Sequence, residues 1–106
     1  MTPLTRPVRD VTAVYGRNVG ACGSWAKITV DVAPHPDGFA FVRLVDEEDL
    51  PREFADAAAK GIRLELGEHT GVRVTLKAAR VHQVDPSAYG FEQAGRLAVR
   101  RAGQAG

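Results

Sequence analysis

Apolar and polar residues alternate with a period of two along several stretches of this chain and recur near 3.6 along two others, which predicts strands and helices in a definite order. Residues 25–33 give the clearest strand. Ala26, Ile28, Val30 and Val32 point one way and Lys27, Thr29 and Asp31 the other, so one side faces a core. Residues 8–15, with Val8, Val11 and Val14 beside Thr12 and Tyr15, predict an earlier strand of less regular alternation. Residues 39–45 predict a third. The connector 34–38, Pro-His-Pro-Asp-Gly, has turn chemistry at nearly every position, and the second and third strands therefore read as a hairpin. Val72, Val74, Leu76 and Ala78 alternate with Arg73, Thr75, Lys77 and Ala79 in a fourth strand that reaches about residue 84, with a shift of alternation expected near Arg80 or Val81.

The helical periodicity falls on residues 51–66 and on the segment after Asp85. In the first, Phe54, Ala58 and Ile62 recur four apart, Ala57 widens the stripe, and Arg52, Glu53, Asp56, Lys60 and Arg63 take the other side. Asp46, Glu47, Glu48 and Asp49 precede it, where carboxylates meet the positive end of the helix dipole, and Pro51 suits a first helical position. Gly61 costs about 1 kcal/mol relative to alanine, so it is either a tolerated glycine or a point where the helix crosses close over a sheet. In the second helix Asp85 is the expected N-cap with Pro86 after it. Phe91, Ala94, Leu97 and Ala98 make its buried stripe.

The resulting order is β-β-β-α-β-α, a single α+β domain over residues 8–102 with a flexible lead-in at 1–7 and a disordered tail at 103–106. Residues 16–23, with three glycines, read as a mobile or tightly turning loop. If the first and fourth strands run parallel, that loop and the exit at 82–87 share one end of the sheet. A binding tip would form there.

Composition narrows the function. The chain has 106 residues and a net charge of +1, with eleven arginines against three lysines, which permits an RNA-facing surface without requiring one. The single Cys22 fits a reducing compartment, and neither a signal peptide nor a membrane span is visible, so a cytoplasmic location is expected. His35, His69, His82 and Cys22 are dispersed in no zinc or Cys-His pattern, and Ser24 and Ser87 lack a nucleophile setting. No catalytic set, metal or cofactor is expected.

Three segments resemble domain IV of translation elongation factor G. The family's first helix follows Pro-x-x-Tyr/Phe-x-x-Ala-x-x-Lys-Gly-Ile, and Pro51, Phe54, Ala57, Lys60, Gly61 and Ile62 stand at the same spacing. The run from Val81 to Ser87 is similar to the family's strand exit, and Phe91, Ala94 and Ala98 to its last helix. Gly23, Ser24, Trp25, Ala26 and Lys27 lie over its glycine-rich run, with Asp31 and Pro34 matching beyond. The resemblance covers residues 11–102. It implies a four-stranded sheet with both helices on one face and a left-handed β-α-β crossover, and a tip that meets RNA in the decoding site of the small ribosomal subunit. The phosphate-binding Gly-x-x-x-x-Gly-Lys-Ser/Thr sequence is absent, so no GTPase and no bound nucleotide are expected in this chain. Arg17 to Cys22 replace the family's Gly-Gly-Arg-Gly, and the segment between the first helix and His82 is a few residues shorter. With Met1 close to the start of the resemblance, a free-standing domain is expected.

The residues singled out follow from this. His82 and Gln83 would contact a base edge or 2′-hydroxyl, against a locally hydrogen-bonded strand end. Arg17, Asn18 and Lys27 would contact phosphate, against ordinary solvated charges. Trp25 is either a stacking platform or an interface residue. Arg96, Arg100 and Arg101 are expected as partners of the helix dipole. The favoured function is a non-catalytic domain that binds the small ribosomal subunit or another structured RNA. Its alternative is a homodimerising protein-interaction module that uses the free sheet face through Trp25, Thr29 and Arg73.

Overall fold

The alternating segments build one mixed sheet of four strands, β1 (Val8–Val19), β2 (Cys22–Pro34), β3 (Ala40–Arg43) and β4 (Val72–Val81), in the spatial order β1-β2-β4-β3. Helices α1 (Arg52–Leu66) and α2 (Ala88–Ala105) complete the α+β domain in the β-β-β-α-β-α order read from the sequence. The computed structural model describes residues 7–19, 22–67, 71–81 and 88–105, with the backbone alone at 17–19, 22–25, 81, 104 and 105.

The second and third strands are not a hairpin. β4 lies between them, antiparallel to β2 and parallel to β3, and α1 is the crossover that the parallel pair requires. The turn chemistry of residues 35–39 serves instead to step across the start of β4. Pro34 pairs with Val72 and Ala40 with Arg73, while the His35 N–H donates to the Gly71 carbonyl at 2.8 Å. The His35 ring closes the turn, its Nδ1 lying 2.7 Å from the Gly38 carbonyl oxygen, and Gly38 takes a φ of 102°. The glycine-rich stretch also departs from expectation. Pairing continues through it from Gly16↔Trp25 to Val19↔Cys22, which leaves only Gly20 and Ala21 between the strands.

Val11, Ala13, Ala26, Ile28, Val30, Val32, Val72, Val74 and Leu76 are buried on one face of the sheet, beneath both helices. The other face is open. Two bulges shape it. On β1 the register shifts between Val8 and Val11, with Asp10 at a φ of 56°, a conformation an aspartate tolerates. On β4 Thr29 pairs with Ala78 but Val30 with Leu76, so Lys77 is the extra residue. The expected break of alternation is therefore real and lies at Lys77, ahead of Arg80.

Pro51 precedes α1 as its N-cap, and its carbonyl accepts from Phe54 N–H and Ala55 N–H at 3.0 and 3.2 Å. Leu50 is fully buried beneath the acidic turn, which Arg43 braces through hydrogen bonds to the carbonyls of Val45 and Leu50. Ala55, Ala58, Gly61, Ile62 and Leu66 form the buried face of α1, with Phe54 half-buried and stacked on Phe91 at 5.2 Å between centroids. Gly61 does mark a close crossing, but over α2 and not over the sheet. Gly95 answers it from the other helix. α2 continues to Ala105, past the residue where the sequence reading ends its order, because Ala98, Val99 and Ala102 are still buried. The expected cap at Asp85 lies outside the described residues.

Candidate nucleic-acid interface

β1 and β4 are each antiparallel to β2, so they run in the same direction and end at the same end of the sheet. Tyr15, Ala26 and Val81 form the last row that the three strands share. Beyond it β1 and β2 continue alone for four pairs, which at ~3.3 Å per residue carries the hairpin roughly 13 Å past the end of β4. The tip is an arm of paired strands. The start of α2 lies close to its root, where Tyr89 meets Tyr15 edge to face at 5.9 Å.

Arg17, Asn18 and Trp25 of the predicted site fall on this arm. Arg17 pairs with Ser24 and Asn18 with Gly23, two and three rows beyond the shared row, and Trp25 pairs with Gly16 in the first. Lys27 lies one row on the other side, between Val14 and Arg80, half-buried on the open face. His82 and Gln83 lie outside the described residues, although β4 ends at Val81, immediately before them. The structure thus gathers the backbone of Arg17, Asn18, Trp25 and Lys27 and the exit of β4 at one end of the sheet.

Sequence reasoning passed over Arg80. Its signal was the interrupted alternation of β4. Upstream of Lys77 the even-numbered residues Val72, Val74 and Leu76 are buried, whereas downstream Ala78 and Arg80 are exposed. A shallow cavity of about 100 Å³ on the open face is lined by Lys27, Thr29, Ala78, Ala79 and Arg80. The Thr29 hydroxyl is 3.2 Å from that of Thr12.

Farther from the tip, Lys77 on the same face is paired with two carboxylates. Lys77 Nζ is 3.1 Å from Asp31 Oδ1 and also bonds Asp10, while the Asp10 N–H donates to Asp31 Oδ1 at 2.9 Å. The extra residue of one bulge and the strained residue of the other therefore meet across β2. Burial pushes the Asp31 carboxyl up, but the Asp10 N–H, the Lys77 hydrogen bond and the charges of Lys77 and Arg9 outweigh it and hold the carboxyl below its usual range. The Lys77 amine is held above its usual range by hydrogen bonds to Asp10 and Asp31.

On the helical side Arg96 and Arg100 do not serve the helix end. They reach Glu65 of α1 at 3.2 and 3.1 Å, and the hydrogen bond from Arg100, ahead of that from Arg96, lowers the Glu65 carboxyl against the effect of its burial. A cavity of about 480 Å³ is lined by Phe39 and by Lys60, Arg63, Leu64 and Gly67 at the end of α1, among others, and includes no residue of the arm. Among the described residues no group of histidine, cysteine and carboxylate side chains is placed to hold a metal, and no helix is long and apolar enough to cross a membrane.

Residues 2–106 match the family described as Elongation factor G, domain IV. Two curated relatives, each an Elongation factor G-like protein of Mycobacterium tuberculosis, from strains CDC 1551 / Oshkosh and ATCC 25618 / H37Rv, are 35% identical over 118 aligned positions. The alignments cover 96% of this chain and 16% of those proteins, so the chain spans about a sixth of their length. A crystal structure from Thermus thermophilus superposes with a TM-score of 0.76 at 18% identity, over 91% of this chain and 16% of that one. That likeness is one of fold.

Proposed function

This chain belongs to the elongation factor G domain IV family, and from that premise we propose that it is a non-catalytic module that binds the small ribosomal subunit or another structured RNA through the projecting end of its sheet. The observation that carries the reading is the shared end of β1 and β4: the arm that advances past β4 carries Arg17 and Asn18 in its strand, and Lys27 lies one row below its root, where the chain leaves Val81 toward His82 and Gln83. Backbone-tracking cations beside groups able to reach base edges or 2′-hydroxyls suit folded RNA, whose grooves are read by shape and by phosphate and ribose contacts. In this reading the chain needs no cofactor and binds no nucleotide of its own.

Sedimentation of the purified protein with small ribosomal subunits, at low and moderate salt, tests it. Binding at micromolar protein that weakens steeply with salt is expected, because each phosphate contact releases condensed counterions. Absence of binding at both salts, with a stable dimer by light scattering, would replace this reading with the protein-interaction one.

A further inference from the structure

Lys27 and Arg80 are direct cross-strand partners on the open face. Like charges so placed repel, and among the described residues neither has a carboxylate at ion-pair distance. The arrangement is a product of the β4 bulge. In an unbroken strand residue 80 would share the buried parity of Val72, Val74 and Leu76; the extra Lys77 turns it to the open side, abreast of Lys27. Bulges commonly re-aim side chains in this way. Ala78, paired with Thr29 in the adjoining row of this face, leaves space beside the two cations, where the small cavity opens with Thr29 at its wall. The nearest acids of this face, Asp10 and Asp31, are already engaged by Lys77.

We propose that Lys27, Arg80 and the Thr29 hydroxyl form a seat for one phosphate of an RNA backbone, so that bound RNA runs from the arm onto the open sheet face. The proposal rests on the RNA-binding reading above and extends it to two residues, Arg80 and Thr29, that the tip alone does not include. An anion between the two cations removes their repulsion, and a guanidinium beside an ammonium and a hydroxyl supplies donors from three directions to a phosphodiester.

Fluorescence anisotropy with a fluorescein-labelled RNA hairpin, over a salt series, tests the seat on the full chain. K27Q and R80Q are each expected to make the slope of log affinity against log salt shallower by about 0.7–0.9, with several-fold weaker binding near physiological salt. R73Q, on the same face at the other end of β4, should leave the slope unchanged. Thermal melting of R80Q should be no lower than that of wild type, since the substitution relieves a repulsion. If wild type binds with a salt-dependent slope that K27Q and R80Q leave intact, the seat is wrong and the tip reading stands. If wild type shows no salt-dependent binding, both fall. A lower melting temperature for R80Q would mean that a structural contact holds Arg80, and it too would overturn the seat.

Discussion

Gly61 of α1 and Gly95 of α2 each lie against the other helix's backbone. A Cβ on Gly61 would stand 2.8 Å from the carbonyl carbon of Glu92 and closer still to its oxygen, and one on Gly95 would stand 3.2 Å from the carbonyl carbon of Ala58. The two helices touch main chain to main chain, with Lys60 and Glu92 paired at 3.6 Å beside the crossing.

The substitutions Gly61→Ala and Gly95→Ala should therefore destabilise the domain. On an exposed helix the same change gains about 1 kcal/mol from propensity. Here a methyl group would have to displace a backbone carbonyl, and overpacking of this kind costs about 1–3 kcal/mol or more. The steric term wins. Urea midpoints should fall for both variants, and an unchanged or raised midpoint for either would mean that the helices are farther apart than described.

That crossing also marks the limit of what could be read from letters. The periodicity located α1 to within a residue and identified Ala58, Ile62, Phe91, Ala94 and Ala98 as core, because an amphipathic helix writes its buried face into local spacing. Gly61 signalled a close approach, yet local spacing carries no information about which partner approaches. The same holds for β3. Its turn residues were legible, but the insertion of β4 between β2 and β3 is a long-range pairing that no property of residues 34–38 records. At the tip, glycines suggested a mobile or tightly turning loop over residues 16–23, of which 16–19 and 22–23 are paired strand, and the Lys77 bulge that exposes Arg80 was visible only as a broken alternation.

The Asp10–Asp31–Lys77 cluster should make stability fall on acidification. The folded-state pKa of Asp31 is depressed below its ordinary value of 3.8, so its contribution is present above that value and is lost as pH falls through the lower folded one. Lys77, whose pKa is raised above 10.5, contributes below that value and loses its contribution only as pH rises through the folded one. D31N keeps the oxygen acceptor and removes the charge. Its deficit in urea midpoint relative to wild type should be largest near neutral pH and should close as the pH falls through the lowered folded-state value of Asp31. A deficit that persists unchanged into acid would assign the loss to shape instead of charge.

Glu65 ties the two helices through Arg96 and Arg100, and this can be separated from the contribution of α2 packing. In a double-mutant cycle of E65Q with R100Q, a coupling of about 0.5 kcal/mol is expected, the usual range for a partly solvated pair, and it should shrink in high salt. A coupling indistinguishable from zero at low salt would return Arg100 to the role of an independent surface charge.

The arm itself gives the sharpest separation of folding from binding. Every residue of the described core in β1 and β2 lies on the domain side of the shared row, at or before Tyr15 in β1 and from Ala26 onward in β2. Replacing residues 17–24 by Asn-Gly would preserve the Gly16↔Trp25 pair and close it with a two-residue turn suited to a hairpin. Such a variant should melt within a few degrees of wild type, since no described core contact is removed. It should nevertheless lose most of its affinity for small ribosomal subunits, because Arg17 and Asn18 go with the segment and the remaining cations no longer stand beneath a projecting arm. Retention of full affinity would move the binding surface off the arm, and a large fall in melting temperature would show that the arm supports the fold as well as extending from it.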